Sequence, residues 1–444
     1  MKKRLLCLFS CVMILAVLFC STFMSVSAYV YDFEGEYGGE IRSASVLFKS
    51  LDTGEVLYEK DADTKRYPAS TTKIMTYIIT VENVEDIENT RVEIKQDIIS
   101  MLDGTESSMA GLQYKIGETV SVIDLLYCLM LPSGNDAALV LADYVGGGSI
   151  ENFVDMMNAK AEELGCENTH FVNPHGLHDD DHYTTARDLM KISEYALNTY
   201  MFKEVTSTAT YYCEGDDYPI YTTNNLIDEN RGEDQYYPYA VCGKTGFTDQ
   251  AGKCLVQTAE KDGYSYILVA MYDDPFSGIT GTVLDAINLF NWAFDTFEMR
   301  TVADTDVPIC NEKILYSSGK DSILLTPESN FVTLMPTDTK DTDIEIVPQF
   351  EKPLQAPVNK GDVVGTALIK YRGDDYATIN LVATESVQRS DLKFFLGTFG
   401  NLVLSPWFII IAVVFVCLLL VYIIVVKTLS DRNNAKVKKY RDFK

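Results

Sequence analysis

The sequence predicts an α/β (α+β) domain, then a small all-β domain and one C-terminal transmembrane helix. Strand patterns lie on both sides of a mainly helical stretch, so we expect one sheet assembled from distant segments plus a helical insert. After Met299 short alternating runs are broken by Gly, Pro and Asp. Trp407–Val426 is a run of 20 residues without a charge. A chain of 444 residues has room for two or three such domains.

The first domain begins with a strand, a turn and a strand over residues 43–60 and continues with a helix that starts near Ser70. Further predicted elements are helices over Val122–Leu131, Ala137–Tyr144 and Thr282–Phe297, and strands over Tyr239–Lys244, Gly252–Ala259 and Tyr264–Tyr272. We predict domain bounds at 29–299 for this domain and 300–388 for the β-rich domain, with a linker at 389–405.

The N-terminal residues have the pattern of a targeting signal. Three basic residues precede a long apolar run that ends in the small residues Val26, Ser27 and Ala28. This pattern predicts a secretory signal peptide over residues 1–28, and an uncleaved membrane anchor is the alternative.

The C-terminal residues predict a membrane anchor. A helix over 406–426 spans about 30 Å, the thickness of a bilayer core. The tail at 427–444 carries seven basic and two acidic residues, and positive residues stay cytoplasmic. We therefore expect a single-pass cell-membrane protein whose main part is extracellular and whose C-terminus is cytoplasmic; a buried core helix is the alternative.

The charge excludes one class of partner. The formal net charge is −27, of which residues 1–28 contribute +3 and residues 427–444 contribute +5, so the remainder carries −35. A nucleic-acid-binding protein needs a basic face, so we predict no nucleic-acid partner.

Histidine and cysteine give weaker signals. All four histidines lie between His170 and His182, next to three aspartates, which allows metal binding but also a polar loop. We favour the loop and predict neither a metal nor a cofactor. Cys242 and Cys254 are expected on neighbouring strands, where a disulfide is the alternative to two buried thiols.

The first motif with chemical meaning is Ser70-Thr71-Thr72-Lys73. Ser70 and Lys73 are three residues apart on a predicted helix, so an amine lies beside a hydroxyl. A serine nucleophile needs such a base, and lysine can serve if burial and a nearby cation lower its pKa. Backbone N–H groups at the helix start can stabilise an oxyanion. By itself Ser70 would read as an ordinary helix N-cap.

The second motif, Ser133-Gly134-Asn135, follows an apolar helix and precedes another. A loop held between two helices can present Ser133 as a proton relay and Asn135 as a ligand of a substrate amide. In isolation the same letters would indicate a common turn.

The third motif, Lys244-Thr245-Gly246, lies on a predicted strand. Lys244 and Thr245 can bind a carboxylate, and Gly246 lets a substrate backbone lie close to the strand edge. The N–H of Phe247 would complete an oxyanion hole with that of Ser70. Alone, the motif would indicate a strand end with a glycine bulge.

Together the three motifs predict acyl transfer by a serine nucleophile. The catalytic candidates are Ser70, Lys73 and Ser133, and the substrate-binding candidates are Asn135, Lys244, Thr245, Gly246 and Phe247.

These motifs identify a family. Over residues 40–390 the chain resembles the serine D-alanyl-D-alanine carboxypeptidases, the low-molecular-weight penicillin-binding proteins. The matching segments include Pro68–Lys73, Leu131–Ala138, Asn173–Leu177 and Lys244–Thr248. Phe247 stands where some members have a polar residue, which leaves a role for its backbone N–H but not for its side chain.

The resemblance implies a β-lactamase/transpeptidase-like catalytic domain. It further implies that the first serine is acylated by a peptidoglycan stem pentapeptide, that water then releases the shortened peptide, and that β-lactam antibiotics such as penicillin acylate the same serine. The β-rich second domain and the C-terminal anchor also resemble those of the family.

Three other functions stay open. A D,D-endopeptidase would use the same site on cross-linked peptides. A class A β-lactamase would need a glutamate in an E-x-x-L-N element, and Glu194–Asn198 fits those letters inside a predicted helix that Thr185 and Asp188 begin. A non-catalytic wall-binding protein would not need intact motifs.

Overall fold

The computed structural model describes Tyr31, Phe33 and residues 40–231, 235–274 and 281–441. The chain divides into a first unit of residues 26–300 with 333–339, and a second unit of residues 301–332 with 340–444. The predicted signal peptide lies outside the described residues.

The first unit mixes helices and strands. Its strands are β1 Ser45–Ser50, β2 Val56–Lys60, β3 Arg91–Glu93, β4 Thr119–Ser121, β5 Thr210–Tyr211, β6 Ile220–Tyr221, β7 Ala240–Thr248, β8 Gly252–Lys261 and β9 Tyr264–Asp273. Its helices are α1 Lys73–Asn83, α2 Gln96–Ser100, α3 Val122–Met130, α4 Asn135–Val145, α5 Ile150–Glu163, α6 Ala186–Ala196, α7 Phe202–Ser207 and α8 Gly281–Thr296.

An antiparallel five-stranded sheet is the centre of this unit, with strand order β2-β1-β9-β8-β7. Alternate residues of a strand point to opposite faces. Phe48 and Leu268 accordingly pack with α8, whereas Leu47 and Val269 pack with the helical insert. Strand β7 lies at one edge of this sheet, so it pairs with β8 on one side and has its other side left for other contacts.

The α-helix near Ser70 starts later than predicted. Ser70 lies in a 3-10 turn, Ala69–Thr72, and the α-helix begins at Lys73. Ala69 has a left-handed backbone with φ of 47°, which a regular helix cannot continue through. The carbonyl of Pro68 accepts hydrogen bonds from Thr71 N at 3.2 Å and from Thr71 Oγ1 at 2.7 Å, which fixes the turn.

The second unit is rich in strands and ends in helices. Further strands along the chain are β10 Phe297–Ala303, β11 Cys310–Leu315, β12 Ser322–Pro327, β13 Phe331–Pro336, β14 Ile344–Gln349, β15 Leu354–Gln355, β16 Val363–Tyr371 and β17 Asp374–Ala383. Six of them form a sheet in the order β14-β16-β17-β12-β11-β15.

The segment predicted as a linker is mostly helical. It contains α9, Asp391–Val403, whose start is capped by Ser390 Oγ accepting from Lys393 N at 3.3 Å. The last helix, α10, covers Pro406–Arg441. Its first 27 residues, Pro406–Arg432, are long and apolar enough to cross a membrane, and none of their most apolar stretch is buried in the protein.

Candidate active site

Ser70 is presented by a turn that depends on a glycine far away in the sequence. The residue before it, Ala69, has its carbonyl against Gly176. A Cβ at Gly176 would lie 1.9 Å from that oxygen, and the φ of Gly176 is +88°, so only glycine fits. The Asn173–Leu177 segment is thus part of the scaffold of Ser70.

Lys73 is the most constrained polar group of the site. Its side chain is fully buried, and its Nζ lies 2.8 Å from Ser70 Oγ, 2.6 Å from Asn135 Oδ1 and 2.7 Å from the His175 carbonyl. Burial lowers its pKa well below the usual value, and the charge of Lys244 lowers it further, against the opposing effect of Asp136. The surroundings of Lys73 therefore favour the neutral amine relative to the ammonium.

The arrangement of its partners orients that amine. A neutral Nζ carries two hydrogens and one lone pair. The Asn135 oxygen and the His175 carbonyl only accept hydrogen bonds, so they take the two hydrogens. Ser70 Oγ is the third partner of Nζ, so a neutral amine would have its lone pair left for the Ser70 hydroxyl.

The loop of the second motif is held by backbone bonds. Ser133 has a left-handed φ of 62°. Gly134 N donates to the Cys128 carbonyl at 3.0 Å, and Asn135 N donates to the Ser108 carbonyl at 2.8 Å. Such strain at a non-glycine residue persists where the surroundings enforce it, as these bonds do here.

Asp136 also holds this loop in place. Its carboxylate accepts from Ala110 N and Leu112 N at about 3 Å, and burial raises its pKa. The segment that carries Ser108 is thereby tied to the start of α4. This carboxylate is an anchor inside the protein wall, since its hydrogen-bond partners are backbone amides.

The third motif lies inside β7. Lys244 Nζ is 3.0 Å from Ser133 Oγ and 2.8 Å from the Thr245 carbonyl. Burial lowers the pKa of Lys244 to about 7. A Cβ on Gly246 would lie 3.0 to 3.1 Å from Pro68 O and Ser70 N. Glycine therefore lets β7 pass directly beside the turn of the candidate nucleophile.

The eight residues singled out in the sequence meet around one cleft. The cleft has two halves of unequal size. The larger has a cavity volume of about 340 Å³ and borders Ser70, Ser133 and Thr245. The smaller has a cavity volume of about 250 Å³ and borders Ser70, Asn135 and Gly176. Phe247 lines both halves and is 52% exposed. Lys73 and Lys244 lie buried behind the wall.

Sequence reasoning missed several contributors. Thr223 Oγ1 lies 2.7 Å from Thr245 Oγ1, and Asn135 Nδ2 donates to Ser107 Oγ at 3.0 Å. Neither Thr223 nor Ser107 belongs to a motif, so only the fold brings them against Thr245 and Asn135. The carbonyl of His175 is a different case. The sequence of Asn173–Leu177 matches the family, but it does not show that the backbone of this segment binds Lys73.

Two of the four histidines belong to the scaffold. His182 Nε2 lies 2.8 Å from Thr72 Oγ1, and its Nδ1 accepts from Val172 N at 3.1 Å. Burial lowers the pKa of His175 and of His182 to about 3, so both are neutral. No group of three or more His, Cys, Asp or Glu side chains able to hold a metal ion occurs among the described residues.

The cysteines do not pair as the alternative proposed. Cys242 Sγ lies 3.1 Å from Thr258 Oγ1, while Cys254 is opposite Gly246 in the sheet. Both are free and buried. The predicted strand order could not exclude a disulfide, because it does not give the register of the strands. In the structure the two cysteines lie on neighbouring strands but are not opposite each other.

Comparison with known proteins shows the family of this chain. Residues 33–275 match the family described as D-alanyl-D-alanine carboxypeptidase, and residues 297–389 match the penicillin-binding protein 5 C-terminal domain. The D-alanyl-D-alanine carboxypeptidase DacF of Bacillus subtilis is 30% identical over 81% of this chain and 89% of its own length. DacA of Haemophilus influenzae is 28% identical over 87% of this chain and 95% of its own length.

The fold agrees as well. The crystal structure of penicillin binding protein 5 from Haemophilus influenzae aligns with a TM-score of 0.62 and 27% identity, over 80% of this chain and all of that one. The family match covers more than half of the 444 residues and includes all three motifs. The chain belongs to the D-alanyl-D-alanine carboxypeptidase family.

Proposed function

We propose that this protein removes the terminal D-alanine from peptidoglycan stem pentapeptides through an acyl-enzyme on Ser70, and that penicillin acylates the same residue. One observation supports this most directly: the buried Lys73 Nζ lies 2.8 Å from Ser70 Oγ, and its other two partners, Asn135 Oδ1 and the His175 carbonyl, can only accept hydrogen bonds. The names of the relatives, D-alanyl-D-alanine carboxypeptidase and penicillin binding protein, agree with it.

In the first step Lys73 accepts the proton of Ser70 as Oγ attacks the carbonyl carbon of the penultimate D-alanine. The N–H groups of Ser70 and Phe247 would stabilise the resulting oxyanion. This assignment is supported by the packing of Gly246 against Ser70 N, which places β7 beside the turn. One such donor contributes about 3–4 kcal/mol to the stability of the transition state.

In the second step the bond to the terminal D-alanine breaks, and its nitrogen takes up the proton that Lys73 accepted from Ser70, which returns Lys73 to its neutral form. Ser133 would relay that proton, since its Oγ lies between the cleft and Lys244 Nζ at 3.0 Å. Water then attacks the acyl-enzyme, with Lys73 as base once more, and releases the shortened peptide.

Lys244 and Thr245 would hold the terminal carboxylate of the substrate. Thr245 borders the cleft, and the Lys244 ammonium lies just behind it. An anion nearby favours the charged form of Lys244, whose pKa is about 7 in the free protein. A charged Lys244 lowers the pKa of Lys73, whereas the negative charge of the bound carboxylate acts in the opposite direction.

The experiment is labelling with penicillin, followed by intact-mass measurement. The wild type should gain the mass of one penicillin, and Ser70→Ala should gain none. An adduct that persists in Ser70→Ala would refute the assignment. A second assay separates the carboxypeptidase from the endopeptidase. A carboxypeptidase releases D-alanine from a stem pentapeptide, whereas an endopeptidase splits a cross-linked peptide dimer.

The β-lactamase alternative is weakened by the position of Glu194. This carboxylate forms an ion pair with Lys49 Nζ at 2.6 Å, within the last turn of α6. It lines neither half of the cleft. A glutamate bound in this way is not available to activate a water for the acyl-enzyme, so the E-x-x-L-N letters are a chance match.

We further propose that residues 29–299 form the catalytic domain and 300–388 the β-rich domain, and that a single-pass anchor at 406–426 holds them outside the cell. The apolar helix Pro406–Arg432 supports the anchor. The basic residues after it support a cytoplasmic C-terminus. A protein held in this way would meet peptidoglycan precursors close to the membrane surface.

A further inference from the structure

A second cavity of about 260 Å³ lies outside the catalytic cleft. Its lining includes two cations, Lys65 and Arg66, and three tyrosines, Tyr67, Tyr183 and Tyr272. In a chain with a net charge of −27, two adjacent cations at one cavity are a local exception. The mechanism proposed above uses none of these side chains.

Aromatic rings hold both cations in place. Lys65 Nζ lies 4.0 Å from the centre of the Tyr183 ring, and Arg66 Cζ lies 5.2 Å from that of Tyr272. Arg66 Nε also donates to Ser45 Oγ at 3.1 Å. Cations fixed in this way lose less side-chain entropy when they bind an anion than free surface lysines do.

The cations retain capacity for an anion. Within the part of the chain that the structure describes, neither Lys65 nor Arg66 has a carboxylate oxygen within ion-pair distance. Asp180, which also lines the cavity, has its Oδ1 3.5 Å from His178 Nε2. The lining side chains therefore carry a net positive charge.

The cavity continues the cleft on one particular side. Gln250 lines both the cavity and the half of the cleft that borders Asn135 and Gly176. His178, which lines that same half, packs edge-on against Tyr67 at 4.6 Å between ring centres. The opposite half borders Ser133 and Thr245, where the terminal carboxylate would bind, so in the proposed function the preceding part of the peptide would extend toward the cavity.

We propose that this cavity binds a side-chain or α-carboxylate of the stem peptide, on the part that precedes the acylated D-alanine. The Arg66 guanidinium can pair with a carboxylate through two parallel hydrogen bonds, and Lys65 adds a point charge. This inference rests on the proposed function, because it assumes that the peptide lies along β7 with its C-terminus near Thr245.

The test uses two synthetic pentapeptides that end in D-Ala-D-Ala and differ at one position, a free glutamate carboxylate or its primary amide. We expect the wild-type full-length protein in detergent to prefer the carboxylate peptide by about tenfold in kcat/KM, as expected for a charge-assisted pair. Lys65→Gln should reduce this preference, and Lys65→Gln with Arg66→Gln should abolish it. Turnover of the amide peptide should not change.

The matched control is Lys313→Gln, which removes an exposed lysine in the second unit and should keep the full preference. Penicillin acylation at the wild-type rate in the double variant shows that the variant is folded. An unchanged preference in the double variant, or an equal loss on both peptides, would overturn the proposal. Calorimetric binding of both peptides to Ser70→Ala tests the cavity even if turnover, and with it the proposed function, fails.

Discussion

Lys73 Nζ and Ser70 Oγ are 2.8 Å apart at the inner wall of the cleft, and the lysine is completely buried there. The two other partners of the amine, Asn135 Oδ1 and the His175 carbonyl, can only accept hydrogen bonds. A charged ammonium would have all three of its hydrogens satisfied but would be unable to take a proton. The same contacts thus fix the position of the amine, while burial and the charge of Lys244 lower its pKa.

Acylation should therefore depend on pH through Lys73. Because its pKa lies well below the usual value, the amine becomes neutral, and the rate rises, as pH increases through that lowered pKa. Lys73→Ala should lower the acylation rate by at least about 100-fold, the contribution of general-base catalysis, and should remove this pH dependence. Stopped-flow acylation by a fluorescent penicillin measures both. A Lys73→Ala rate that still rises with pH like the wild type would contradict the assignment.

Stability should depend on pH through Lys244. Its pKa is about 7 in the folded protein, whereas an unfolded lysine has about 10.4. Between these values the unfolded state holds more protons, so this group makes the free energy of unfolding increase as pH rises from about 7 to about 10. The slope from this one group is at most about 1.4 kcal/mol per pH unit.

The measurement compares the wild type with Lys244→Met, which keeps the length of the side chain but cannot titrate. Urea unfolding at several pH values should give a difference between the two proteins that changes in favour of the wild type as pH rises. A constant difference over this range would mean that Lys244 keeps an ordinary pKa.

Gly176 should be required for the conformation of the Ser70 turn. A methyl group there would meet the Ala69 carbonyl at 1.9 Å, with no flexible side chain to give way. We expect Gly176→Ala to lose penicillin acylation and to lower the free energy of unfolding by about 2–4 kcal/mol, as overpacking and backbone strain do.

Gly147→Ala is the matched control. Its φ of +68° is also left-handed, but nothing lies within 4 Å of the new Cβ. It should cost only about 1 kcal/mol for the backbone conformation and leave acylation intact. Equal effects of the two substitutions on acylation would show that the contact between Gly176 and Ala69 is not what supports Ser70.

The membrane anchor is tested by truncation. Ending the chain after Arg389 removes the helices Asp391–Val403 and Pro406–Arg441 but no residue of the three motifs. We expect this protein to be released into the medium and to remain acylated by penicillin, because the apolar helix is the proposed attachment. Retention of the truncated protein in the membrane fraction after signal cleavage would place the anchor elsewhere.

The sequence alone determined the features that depend on local spacing. Three residues separate Ser70 from Lys73, and residues at that spacing are neighbours in any helical turn. The almost continuous run of aromatic and aliphatic residues from Tyr264 to Tyr272 predicts a strand that is buried on both faces. The uncharged run before a basic tail predicts a membrane helix because length and charge suffice for that inference.

Only the tertiary structure decided which distant groups meet. The His175 carbonyl reaches Lys73 across 102 positions of sequence, and Ser133 reaches Lys244 across 111. The tertiary structure also places Glu194 away from the cleft, in an ion pair with Lys49, and shows that Cys242 and Cys254 are free. Such contacts depend on how the helical insert packs on the sheet. The periodicity of apolar residues within one helix or strand does not contain that information. The lowered pKa values of both lysines depend on the same packing, because burial is their largest cause.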